Sequence, residues 1–144
     1  MIAEFFKKLM GQPAEQPLPE LDAKLGVIVL LVRLAKADQH YAVEEIQLID
    51  RLIAGHLELN PVEAAKLRAT SEKLEASAPD TPTLSAMVQG EVAEPDRHAV
   101  LDALWQVGLA DRALKPEEES FLTEVARALG LDPAEGAARH GTAN

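Results

Sequence analysis

The chain has 144 residues, a formal net charge of −10 and no cysteine. That length suits one domain with a proper core and leaves no room for a second catalytic domain, and the missing thiols exclude disulfides and thiolate metal sites, in keeping with a reducing cytosol. The acidic balance argues against binding nucleic acid or laying the body of the domain on an anionic membrane; it fits divalent cations, basic protein partners or plain solubility.

The first expected helix covers residues 2–10. Ile2, Phe5, Phe6 and Leu9 fall at i, i+3, i+4 and i+7, giving one apolar stripe with Lys7 and Lys8 beside it. The stripe is expected to pack on its own bundle or on a second copy in a homodimer, with membrane contact at most peripheral. No cleavage-site pattern or long apolar run follows Met1, so the expectation is a soluble, cytoplasmic protein. Residues 11–19 (GQPAEQPLP) read as a proline-rich linker. Residues 1–19 are thus an amphipathic helix plus linker, and 20–144 one helical domain.

Further helices are expected near 20–37, 43–57, 61–78, 82–92, 95–110, 116–129 and 133–140, with no strand. Pro61, Pro82, Pro95, Pro116 and Pro133 each precede a run of helical spacing, and proline is favoured in a first turn because its missing N–H goes unused there. Asn60-Pro61-Val62-Glu63 and Asp132-Pro133-Ala134-Glu135 combine a capping side chain, a first-turn proline and an acid three residues after the cap. Leu25, Ile28, Val29, Val32 and Leu34 give one broad apolar surface, and Val100, Leu101, Leu104, Val107 and Leu109 another. These two helices are expected to form the central core, with Trp105 as a packing residue.

Two stretches repeat each other. VIVLLVRLAKADQHYAVEEIQLIDRLIAGHLELNP (27–61) and VLDALWQVGLADRALKPEEESFLTEVARALGLDP (100–133) each run an apolar helix into Ala-Asp, with a Glu seven positions after the Asp. The offset is 73 for Asp38/Asp111 and Glu45/Glu118, and 72 at Pro61/Pro133. A fixed offset that preserves pattern and punctuation marks a duplicated supersecondary unit. The fold class is therefore all-α: a compact bundle of about seven or eight short helices with an internal helix-loop-helix duplication.

Over about residues 20–140 the chain resembles the TerB-like domains, the tellurite-resistance family. The second repeat carries the resemblance most specifically, and AKADQHYAVEEIQLIDRLI more weakly. The resemblance implies a bacterial all-α bundle linked to tellurite, chemical or phage stress, with a divalent-metal site built from the loop acids. The family places a glycine after each Asp, where this chain has Gln39 and Arg112, and a small polar cap where it has Ala42 and Lys115. Gln and Arg adopt left-handed backbone only at a cost, and the Arg112 guanidinium stands next to Asp111, able to pair with its carboxylate.

Two readings of the loop acids stand side by side. If the repeats pack about a pseudo-twofold axis, Asp38, Glu45, Asp111 and Glu118 converge, with Glu44 and Glu117 beside them, and their repulsion calls for a divalent cation: Ca²⁺, Mg²⁺ or Mn²⁺, given oxygen ligands and no thiol. Alternatively the acids are structural: Glu45 and Glu118 fall at the third helical position and cap backwards, and Asp38 and Asp111 accept orphan N–H groups in place of Ala42 and Lys115. A calcium EF-hand is excluded, because its third, fifth and sixth positions counted from Asp38 hold His40, Ala42 and Val43. His40 could add a nitrogen ligand but reads as a surface residue.

Other chemistry is thin. His40, His56, His98 and His140 are scattered, and there is no HExxH, nucleophile elbow or phosphate-binding glycine loop. The functional expectation is a non-enzymatic stress-response domain with a divalent cation at the repeat junction, or a metal-free helical module in a stress or phage-defence complex with an unidentified protein partner. Direct capture of tellurite by so acidic a surface is electrostatically unfavourable, which makes any role in resistance indirect.

Overall fold

The computed structural model describes residues 18–110 and 114–140. The expected helix over 2–10 and most of the linker lie outside them. Within them the chain forms seven helices and no strand: α1 (Ala23–Ala35), α2 (Val43–Leu57), α3 (Pro61–Ser77), α4 (Thr81–Glu91), α5 (Glu94–Gly108), α6 (Pro116–Ala128) and α7 (Pro133–Arg139). The largest departure from expectation is at the start of α1, three residues later than the pattern suggested. The cause is Asp22, whose Oδ1 accepts the Leu25 N–H at 2.9 Å and fixes the first turn there.

The other starts follow the expected signals. Asn60 and Glu63 exchange both bonds of a capping box, at 2.8 and 3.0 Å. Asp80 accepts from Thr83 N–H at 2.9 Å and Asp132 from Ala134 N–H at 2.9 Å. The five prolines all stand in a first turn, where each is stereochemically compatible with the helix.

The hub of the bundle is α1 alone. Nine of its 13 residues are buried, as a helix apolar on every side requires. It packs against α2, α3, α4, α5 and α6, while α5 packs against α1, α2, α6 and α7. The duplication is visible in this arrangement: α1 lies on α6 and α5 lies on α2, so the first helix of each repeat meets the second helix of the other. That crossed pairing is what a pseudo-twofold relation between the repeats demands. Trp105 is buried on α5 as expected, stacked on His140 with ring centroids 5.5 Å apart.

Polar side chains tie the periphery to this core. Arg33 of α1 donates to Glu75 of α3 at 3.2 Å and to the Pro79 carbonyl at 2.9 Å, and Lys36 joins Glu75 at 3.0 Å. Tyr41 donates to Glu72 at 2.6 Å, and Arg68 bridges Glu72 and Asp50, at 3.1 and 2.6 Å.

Candidate functional site at the junction of the repeats

The loop after α1 is shaped by Asp38. Its Oδ1 accepts the backbone N–H of His40 at 2.9 Å, closing an Asx-type turn in which Gln39 takes a left-handed backbone, φ 65°. This is the conformation for which glycine is the unstrained residue. The carboxylate therefore holds its own loop and does not cap α2, contrary to the capping reading for this residue. His40 is exposed, as expected.

The other oxygen of Asp38 faces the second repeat. Oδ2 receives the ammonium of Lys115, the residue just before α6, across 77 positions of sequence. The Asp38 side chain is only 8% exposed, and that of Lys115 36%. The Lys115 hydrogen bond holds the Asp38 carboxyl below its ordinary pKa, against the opposing effect of burial, with the His40 N–H helping.

Glu45 and Glu118 do what the third helical position favours. Glu45 Oε1 accepts the Ala42 N–H at 3.0 Å, and Glu118 Oε1 accepts the Lys115 N–H at 2.9 Å. Ala42 and Lys115 return no side-chain bond, so each pair is half of a reciprocal box. Both glutamates are buried, 4% and 1% exposed. The negative end of each side chain also sits in the first turn, where the helix dipole favours it.

Asp111 lies outside the described residues, as do Arg112 and Ala113. Among the described residues no three His, Cys, Asp or Glu side chains are gathered closely enough to hold a metal ion. Both oxygens of Asp38 and one of each glutamate are already bonded to N–H donors.

Lys115 is the junction residue whose partner the sequence alone leaves unassigned. The signal was there in its position: a cation at the start of a helix faces the wrong end of the dipole, which points to a compensating acid elsewhere. Only the packing of the two repeats identifies that acid as Asp38.

An all-α domain built from a crossed pair of helix-loop-helix units, with an acid-bearing loop in each, defines the class. The chain matches the family model of Tellurite resistance protein TerB over residues 24–140, most of its length, and belongs to that family. No curated protein and no solved structure matches it.

Proposed function

We propose that this chain is a non-enzymatic, cytoplasmic TerB-family domain that serves bacterial stress resistance as a helical protein-interaction module, with its repeat junction closed by an internal ion pair. The observation that carries this reading is the Lys115 ammonium on the Asp38 carboxylate. A lysine there supplies the positive charge that several loop acids would otherwise draw from solution. Its role in tellurite resistance is indirect, since a chain of net charge −10 repels an oxyanion.

A second reading rests on the burial of Glu45 and Glu118 at the two equivalent helix starts. In it, Asp38, Glu45, Asp111 and Glu118 take a Ca²⁺, Mg²⁺ or Mn²⁺ ion and Lys115 is displaced.

Calorimetric titration of the three ions into chelator-treated protein separates the two, with Asp38→Asn alongside. No saturable heat in either protein, with the variant melting lower, supports the internal ion pair. Saturable binding that disappears in the variant overturns it in favour of the cation.

A further inference from the structure

We propose that the amphipathic segment at the start of this chain, residues 2–9, docks in cis in an apolar groove between α1, α2 and α5. The groove encloses about 450 Å³. Its α1 wall runs from Lys24 through Val27 to Leu31, and its α5 wall from Asp96 through Val100 to Ala103. Ile28, Leu31, Ile53 and Ala103 form a buried floor, and Val27, Leu52 and Val100 are half-buried along the sides. The groove exists because α1 is apolar on every side, while α2 and α5 leave a strip of it open between them.

Three observations select the occupant. The first is length: each wall spans eight residues of helix, seven steps of about 1.5 Å or about 10 Å in all, and Ile2 to Leu9 is the same span. Ile2, Phe5, Phe6 and Leu9 present their apolar atoms at the i, i+3, i+4, i+7 spacing used by a helix lying in a groove.

The second is position. Lys24, in the first turn of α1, lines the groove, so the described chain enters the bundle at the groove's own end. The linker 11–19 reaches about 30 Å when extended, and a tether that short gives an effective concentration of order millimolar. The third is charge: the side chains of residues 1–10 sum to +1 and those of the rest of the chain to −11, and the groove's lining carries the exposed Asp96 as well as Lys24.

The chain has no cysteine, so a nitroxide attached to Ala3→Cys, at the flank of the stripe, reports from one place. The readout is the methyl spectrum of the full-length protein. In cis docking predicts that the methyl signals of Val27, Leu31, Leu52 and Val100 lose most of their intensity while Val125 and Leu129, elsewhere in the bundle, keep theirs. The loss should vanish in Phe5→Asp/Phe6→Asp, and it should be absent when the nitroxide chain and the isotope-labelled chain are separate molecules mixed together. Broadening in the mixed sample would assign the groove to a second copy and overturn the proposal. Absence of broadening in the single-chain sample would overturn it too, and co-sedimentation of the protein with anionic phospholipid vesicles would then place the stripe on a membrane. Broadening that survives the double Phe variant overturns it as well, because proximity would then owe nothing to the stripe.

Discussion

Glu58 and Gly130, 72 positions apart, hold the same left-handed backbone at the ends of α2 and α6, with φ of 55° and 77°. The residue after each donates back to an equivalent carbonyl, Leu59 to Ala54 at 3.1 Å and Leu131 to Ala126 at 2.8 Å. The two repeats thus end their second helices in one geometry, and only the second copy uses the residue that adopts it freely. Glu58→Gly is expected to stabilise the fold by about 0.5–1 kcal/mol, the relief of left-handed strain less the extra entropy of an unfolded glycine. Gly130→Ala is expected to cost about 1–2 kcal/mol. Thermal melts check both, with shifts of about 2–4 °C per kcal/mol at this chain length.

The Asp38–Lys115 pair makes stability depend on acid. The folded carboxyl lies below its unfolded value of about 3.9, so the stabilisation is present above about pH 4 and is lost as pH falls through the lower folded value. Asp38→Asn is expected to cost about 1–2 kcal/mol at pH 7, since Lys115 is partly exposed and the pair partly screened. Urea unfolding at pH 7 and pH 3 should show the penalty shrinking at the lower pH. A Lys115→Met cycle should assign about half or more of it to the pair itself.

Tyr41 supplies a test at the other end of the scale. Burial, and then the Glu72 carboxylate that its hydroxyl bonds, pushes the phenol above its ordinary value. A raised acid gives stability that is complete below the unfolded value of about 10 and lost as pH climbs above it. Because this is the one tyrosine in the chain, its absorbance titration is unambiguous. Phenolate should appear only together with loss of helical circular dichroism, not before it.

Gly136 of α7 lies flat against the indole of Trp105, close enough that a Cβ at 136 would overlap the ring. Gly136→Ala is expected to push α7 off α5 and cost about 1–3 kcal/mol. His140 stacks on the same ring and meets Asp102 at 3.2 Å, so the change should also loosen that contact. The fluorescence of the sole tryptophan should shift to the red as its cover lifts.

Ser85 is fully buried on α4, and its hydroxyl is without a hydrogen-bond partner among the described residues. A buried hydroxyl without a bond costs about 1–3 kcal/mol. Ser85→Ala is therefore expected to raise stability by about 1 kcal/mol, read as a higher denaturation midpoint at unchanged slope.

The helices were legible because their ends are written locally. A proline in the first turn, Asn60 or Asp132 before it and Glu63 after it specify a start without reference to anything distant. The duplication was legible too, since Asp38 and Asp111 keep their spacing to Glu45 and Glu118, and the capping role of both glutamates follows from helix position alone. What the sequence did not disclose depends on packing. The partner of Lys115 lies 77 residues away, and the turn role of Asp38 falls outside both sequence readings, cation ligand and helix cap, because an aspartate before a helix suits all three. The centre is shared unequally: α1 carries the denser apolar run and packs against five helices, while α5 keeps a charged first turn and packs against four. Periodicity tells which faces of Val27, Leu52 and Val100 are apolar, and says nothing of how fully neighbouring helices cover them.

The enclosure of α1 makes the halves of the duplication inseparable. The second half, α5 to α7, rests on a helix that belongs to the first, and the first half leaves that helix bare wherever α5 and α6 are taken away. Neither copy could be excised without baring surface that the other now covers. One piece furnishes the axle; the other supplies part of its casing, and α2, α3 and α4 supply the rest.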